Sequence, residues 1–458
     1  MTTTLLWLRR DLRRHDHPAL TAAAEAGGVL PVHVLDPDEL AGAGRGRLGW
    51  LAATLRATAV SFDGRLCVRL GDPAEVLPAL ARQVGATAVQ VTAATEPDGR
   101  TRDDRVAGAL AEIGVDWLAT GSPYAVTPGR VRNRAGRGYR VFSPFEKAWR
   151  AHGWPDPAGP PASPDWNRGP TLRQWIRPEA SAVLESWLAN CPVGLPPAGE
   201  AAALQAWREF RDERLDGYAD ERDRADLPST SRLSPYLALG VLHPRTLLAD
   251  LAGRQDPGAT KFVSELAWRE FYADVLWRHP ASVSSDLVPT LAGMAHDEPG
   301  SGYEAWRTGH TGYPLVDAGM RQLLAEGWLP NRVRMVVASF LLKDLHLPWQ
   351  LGARHFREHL IDYDAASNTH NWQWVAGTGT DAAPYHRVFN PVSQAAAADR
   401  DGRYVRRHVP ELAHLPGPAV LRPWDHPAGH LHGYPVRILD HAAERVEALT
   451  RYRLAVGR

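Results

Sequence analysis

The chain has 458 residues, 44% apolar and 23% charged, the composition of an ordered globular protein with room for two or three domains; it excludes a disordered polymer. Its 52 basic and 52 acidic side chains cancel, so no net field draws the whole molecule toward a polyanion, and any nucleic-acid contact must be a local patch. Cys67 and Cys191 are too few for a thiolate cluster or a disulfide framework, and the opening run "LLWL" is broken at once by "RRDLRR"; together these predict a cytoplasmic protein with no signal-peptide core, membrane span or bound metal.

The first third alternates short apolar runs with amphipathic stretches. Strands are expected at 4–10, 29–36, 65–70 and 86–92, and helices at 75–85 and 101–114. This alternation predicts an α/β domain over 1–150 built on a doubly wound, mostly parallel sheet. Ligands of such sheets lie at the carboxyl ends of strands, which places Arg9, Arg10, Asp11 and Asp36 either beside a ligand or among ordinary loop charges. "GRGRLG" (44–49) has the spacing of a dinucleotide fingerprint, but "PDEL" and "AGA" separate it from the preceding strand, so a flexible or helix-starting loop is expected instead. From 151 to 200, "WPDPAGPPASPDWNRGP" and "CPVGLPPAGE" are too rich in Pro and Gly to hold elements, and an extended connector is predicted. The remainder, 201–458, reads as a large all-helical domain: "AALQAWREFRDERLDGYAD", "KFVSELAWREFYADVLWRHP", "PLVDAGMRQLLAEGW" and "NRVRMVVASFLLKDL" each carry a buried stripe.

Several of these helices set polar groups beside apolar ones. In "SELAWRE", Glu265, Trp268 and Arg269 project from one side, either as the wall of a pocket for a flat polar ligand or as a surface ion pair over a packed indole. In "NRVRMVVASF", Asn331, Arg334 and Met335 repeat that geometry. The hydroxyls of "STSRLSPYLALG" suit a helix cap and equally a phosphate at a helix start. "DYDAASNTHNWQW" (362–374) crowds carboxylates, amides and indoles into thirteen positions.

Taken together, "WLRRDLRRHDHPAL", "TSRLSPYLALG", "ELAWREFY", "TGYPLVDAGMRQL", "NRVRMVVASFLLKDL", "DYDAASNTHNWQW" and "GTDAAPYHRVFNP" resemble the photolyase and cryptochrome family of blue-light flavoproteins over nearly the whole chain, most of all the class I cyclobutane pyrimidine dimer photolyases. The resemblance implies FAD in the helical domain, light-driven repair of pyrimidine dimers in UV-damaged DNA, and a monomer with no obligate protein partner. It implies that Tyr218, Thr230, Ser231, Arg232, Leu233 and Ser234 surround the FAD diphosphate, that Arg269 adjoins the cofactor, that Asp362 and Asp364 lie near the flavin ring and ribose with Arg334 paired to Asp362, and that Asn368 faces flavin N5. Glu265, Trp268, Asn331, Met335 and Trp374 match the lesion contacts, while Arg332, Arg387, Arg406 and Arg407 are candidates for phosphate contacts.

Family members carry either a folate or a deazaflavin antenna. The folate class tends to show Asn-Glu where this chain has Asp98 and Gly99, so an 8-hydroxy-5-deazaflavin near Arg10, Asp36, Arg45 and Arg102 is expected over methenyltetrahydrofolate. Trp372 and Trp349 match the inner and middle tryptophans that reduce oxidised flavin in the family. The outer place falls on His296, which leaves Tyr303, Trp306 or an aromatic from another segment as substitutes. A blue-light signalling cryptochrome is the alternative; it often has altered lesion contacts and a long C-terminal extension, whereas here the contacts are kept and little follows "YPVRILDHAAERVEAL". A photolyase for the (6-4) photoproduct would have histidines at 331 and 335. An electron-transfer flavoprotein would leave Glu265, Trp268 and Trp374 without a role.

Overall fold

A computed structural model describes residues 3–159, 166, 177–291, 293–381 and 387–457. Parts of two stretches singled out in the sequence, 160–165 with 167–176 and "AAPYH" at 382–386, lie outside the described residues. The chain forms two compact units that do not follow chain order: Met1–Glu213, Ser231–Pro280 and Ile361–Asp364 make the first, and Arg214–Thr230, Ala281–Leu360 and Ala365–Arg458 the second.

The first unit is built on five parallel strands: β1 (Thr3–Trp7), β2 (Gly28–Leu35), β3 (Cys67–Leu70), β4 (Ala86–Val91) and β5 (Asp116–Ala119), in the order β3-β2-β1-β4-β5. Every residue of β2 is buried, as expected of a strand covered on both faces. Leu5, Trp7, Val32, Val34, Val89 and Val91 form the centre of the core with Leu77 and Leu80 of the helix Pro73–Val84 and Val106 and Leu110 of Pro97–Ala111. β5 was not visible in the sequence because it is an edge strand, largely exposed, with no apolar alternation. "GRGRLG" starts the helix Arg45–Ser61 after a separate helical turn, Pro37–Leu40, and makes no strand-to-helix phosphate loop.

The expected connector is corrected in one part. Between its two Pro/Gly-rich ends lies a twelve-residue helix, Pro178–Ala189, opened by proline and burying Ala180 and Leu184, one turn apart. It packs against Arg45–Ser61, where a Cβ at Gly49 would stand 2.6 Å from Cys191 Sγ.

The end of β1 is tied to the segment 231–240 within the same unit. Leu12 N donates to Leu239 O at 3.3 Å and Arg13 Nη1 to Gly240 O at 2.9 Å. Gly240 is required here, since its φ is +62° and a Cβ would fall 1.8 Å from Arg10 O. The described residues of the second unit hold helices, turns and irregular segments and no strand, with Ser301–Thr308, Pro314–Glu326, Asn331–Ser339, Trp349–His359 and Ala365–Ala376 among the helices. Asn331–Ser339 runs into one π turn, Phe340–Asp344, where Leu345 N donates to Phe340 O at 3.0 Å. No helix among the described residues is long and apolar enough to cross a membrane.

Candidate active site

In the first unit, the helix Pro257–Arg278 carries three of the predicted residues on one face. Glu265 Oε1 lies 3.0 Å from Lys261 Nζ, one turn earlier. Trp268, half-buried, stacks on Phe142 with ring centroids 3.7 Å apart and planes 7° from parallel. Arg269 turns inward: its Nη1 donates to Pro123 O at 3.2 Å, its Nη2 to Leu237 O at 3.3 Å, and its guanidinium lies 4.3 Å over the ring of Tyr124. Glu270 explains why this face is fixed. It is buried and accepts from Ala125 N at 2.5 Å, Val126 N at 3.0 Å and Trp149 Nε1 at 2.6 Å; burial pushes its carboxyl up to about 7 against those bonds.

Asp362 and Asp364 are buried in the same unit, and Asp364 accepts from Arg10 Nη2 at 2.5 Å. The other Arg10 donors go to Ala238 O, at 2.9 Å, and to the Glu96 carboxylate. Burial works against the Arg10 charge, but Glu96 and Asp364 hold it well above the ordinary value, while burial pushes the Glu96 carboxyl up. Arg10 thus joins the end of β1 to the 361–364 segment, and its donors are committed there. At the switch point between β1 and β4, Arg9 crosses the crevice to Thr92 O and Asp103. Of the other residues expected at an antenna, Asp36 accepts from Asp38 N at 3.0 Å and lies 3.5 Å from Arg102 Nη1, Arg102 also pairs with Glu39, and Arg45 is exposed.

The run 231–234 turns sharply into the short helix Ser234–Ala238. Arg232 sits in the left-handed region at φ +51°, and Leu233 N donates to Ser231 Oγ at 3.4 Å.

In the second unit, Tyr218 is buried under Arg222, whose guanidinium is 6.0 Å from the ring centroid, and Thr230 is half-buried. Asn331 is exposed at the first position of its helix, with Nδ2 3.9 Å from Met335 Sδ; Arg334 Nε donates to Leu329 O at 2.9 Å. Asn368, Trp372 and Trp374 lie on Ala365–Ala376. Asn368 Nδ2 donates to Ala353 O at 3.1 Å, and Arg387 is 5.7 Å over the Trp374 ring. Trp372 is packed so closely that a Cβ at Gly352 would stand 2.1 Å from its ring. Among the expected phosphate contacts, Arg407 is exposed, Arg332 pairs with Asp223, and the Arg406 guanidinium is held by the carbonyls of Asp401, Leu415 and Gly417.

Around Trp372 the aromatic groups form a row. Trp306 meets it edge-on at 6.4 Å, and Tyr303, half-buried, stacks on Trp306 at 6.0 Å. Trp306 itself is fully buried and donates to Val337 O at 2.9 Å. Trp349 is buried with its Nε1 bonded to Asp286 at 2.8 Å, and His296 is exposed. The residues that sequence reasoning missed are Phe142, Tyr124, Glu96 and Glu270. For Phe142 a signal existed in the aromatic pair of "VFSPF", but its partner lies far along the chain.

Each unit carries groups of the kinds a flavin nucleotide needs: in the first, the hydroxyls and guanidinium of Ser231, Ser234 and Arg232 suit a diphosphate and the buried carboxylates Asp362 and Asp364 suit ribose hydroxyls and ring N–H groups; in the second, the Tyr218 hydroxyl and the Asn368 amide can donate or accept. The fold is thus a parallel α/β unit and a helical unit, each with groups of a kind that suits a flavin nucleotide. Comparison with known proteins carries this further. The model for DNA photolyase matches residues 4–164, and that for the FAD binding domain of DNA photolyase matches 262–454. A deoxyribodipyrimidine photo-lyase of Thermus thermophilus is 40% identical over 90% of this chain and 93% of its own. A bacterial class III photolyase from Agrobacterium tumefaciens superimposes with a TM-score of 0.88 at 33% identity, covering 100% of this chain and 98% of its own; a Synechocystis cryptochrome does so at 0.84 and 26%, covering 98% of each. The chain belongs to the DNA photolyase family.

Proposed function

We propose that the protein repairs cyclobutane pyrimidine dimers in DNA under blue light, with FAD as cofactor. The observation that carries this is the half-buried Trp268 indole, held flat on Phe142 one turn from Glu265, which is a platform for a base beside a hydrogen-bonding carboxylate. Fully reduced FAD, when bound, would supply photoexcited electron transfer that opens the cyclobutane ring and is reversed once the ring has opened, so that the repair is redox-neutral. The dimer must leave the duplex to reach the site, at a cost of a few kcal/mol that its distorted stacking keeps low. Trp268 and Trp374 offset that cost as stacking surfaces, each by about 1 to 3 kcal/mol. Glu265 bonds the pyrimidine edge and counters charge that develops on the lesion, an interaction stronger in the reacting state than in the bound one. Asn331 and Met335, which match the family's lesion contacts, are assigned the same role. Asn368 serves flavin N5 in either proton state because its amide can donate or accept. Arg332, Arg387, Arg406 and Arg407 are assigned to phosphates.

A second chromophore of deazaflavin type near Asp36, Arg45, Arg102 and Arg10 belongs to the same reading, and mass spectrometry of chromophore released from protein made in its native host tests it: a folate overturns it. The main test is recovery of thymine absorbance in UV-irradiated oligonucleotide. The reduced protein restores it in blue light and not in darkness. No recovery in light with reduced FAD bound refutes repair, and would favour the signalling reading that the likeness to a cryptochrome leaves as the alternative.

A further inference from the structure

The phosphate contacts expected from the sequence all lie in the second unit, but a run of uncompensated positive charge lies in the first. From 117 to 145 there is no acidic residue, and "GRVRNRAGRGYR" (129–140) contains Arg130, Arg132, Arg134, Arg137 and Arg140. All five are exposed, and none has an acidic partner among the described residues. In a chain whose charges cancel overall, this is a local positive patch of the kind a polyanion requires.

The loop is ordered by its own bonds. Asn133 Oδ1 accepts from Ala135 N at 2.9 Å and Arg137 N at 3.1 Å, and Asn133 N donates to Arg137 O at 2.8 Å, closing a tight turn. Its base is held from the helix Pro257–Arg278: Gly129 N donates to Asp274 Oδ1 at 2.7 Å, Arg278 Nη2 to Val131 O at 3.0 Å, and a Cβ at Gly138 would collide with Arg278 Nε at 2.1 Å. The arginines are therefore presented by a frame already fixed. Two residues beyond Arg140 is Phe142, the ring on which Trp268 lies.

We propose that this arginine loop holds the sugar-phosphate backbone of the DNA strand that flanks the lesion, binding it without regard to sequence or damage while Trp268 and Glu265 read the lesion. The proposal rests on the repair reading above. Guanidinium groups bond phosphate oxygens in pairs, and each phosphate neutralised on a duplex releases counterions and adds about 0.9 to the slope of log K against log salt.

The test uses the full-length, FAD-loaded protein with Arg134, Arg137 and Arg140 all changed to Gln, and a second variant with all three changed to Lys. Affinity for a duplex with and without one dimer is measured in darkness by fluorescence anisotropy from 50 to 200 mM NaCl, and repair is measured in light at saturating DNA. Flavin absorbance checks the fold. The Gln variant is expected to flatten the salt slope by about 2 to 3. That corresponds to roughly a 16- to 60-fold change in relative affinity across this salt range. It should weaken damaged and undamaged DNA by the same factor and leave turnover at saturation unchanged, while the Lys variant keeps most of the slope. An unchanged slope in the Gln variant, or a loss confined to damaged DNA, overturns the proposal. A wild type that repairs nothing in light, yet loses slope when the loop is neutralised, overturns the repair reading and supports the strand contact.

Discussion

Replacing Phe142 by leucine removes the support of Trp268 while keeping an apolar side chain in place. Phe142 is 7% exposed and makes two ring contacts of good geometry, the 3.7 Å stack on Trp268 and a 5.9 Å edge-on contact with Phe271. Leucine keeps most of the buried area, so the loss is that of the two ring pairs, each about 0.5 to 1.5 kcal/mol, or about 1 to 3 kcal/mol of stability in all. Alanine would add a cavity and cost about 3 to 5 kcal/mol. The consequence for function is separate. Freed from the stack, the indole must be ordered again on binding, so much of its 1 to 3 kcal/mol of base stacking is lost and the Kd for a dimer-containing oligonucleotide should rise about tenfold. Undamaged duplex, held by phosphates, should bind within about twofold of wild type. Urea unfolding gives the first quantity and anisotropy in darkness the other two. A leucine variant destabilised as expected but binding the lesion as wild type does would show that the stack is only core.

Four further outcomes follow from particular residues. Glu265→Ala should lower the yield of repair per photon more than it lowers lesion affinity; equal losses would show that Glu265 only binds. Trp306→Phe should slow light-driven reduction of oxidised flavin, because it interrupts the row Trp372–Trp306–Tyr303, while dithionite-reduced enzyme repairs normally; transient absorption unchanged by Trp306→Phe but abolished by Trp349→Phe would place the route through Trp349 instead. Asp16 is fully buried and accepts from Ala158 N and from Arg245, which help hold its carboxyl at about 2 despite burial; Asp16→Asn strands the Arg245 charge and should cost about 2 to 4 kcal/mol at pH 7, a loss that urea unfolding should find constant from pH 5 to 8. His17 caps the helix Pro18–Ala26 by accepting from Leu20 N at 3.2 Å, and burial pushes its pKa down to about 4. Its contribution is complete above pH 6.5 and is lost, to the extent of roughly 3 kcal/mol, as pH falls toward 4; His17→Asn, which keeps a capping oxygen that does not titrate, should flatten that part of the stability profile.

Periodicity and motif were enough to read much of this protein from its residues. Full burial of β2, the apolar stripes of Pro257–Arg278 and Pro314–Glu326, and the family motifs are all local patterns, and local patterns survive in a single sequence because strand and helix each impose their own spacing on apolar side chains. The same spacing placed Glu265, Trp268 and Arg269 on one face. Local spacing does not extend to the partner across the packing. Which ring lies under Trp268, where Arg10 finds Glu96 and Asp364, and that Trp306 meets Trp372 edge-on are decided by how distant segments close on one another. The helix inside the expected connector was hidden for a related reason: its stripe is only Ala180 and Leu184, too short to stand out between two proline-rich ends, and its stability comes from packing against Arg45–Ser61. The charges of the arginine loop and their nearness to Phe142 were legible as letters, but their exposure, their lack of acidic partners among the described residues and the stacking of Phe142 on Trp268 exist only in the folded chain, because pairing and burial are properties of neighbours in space.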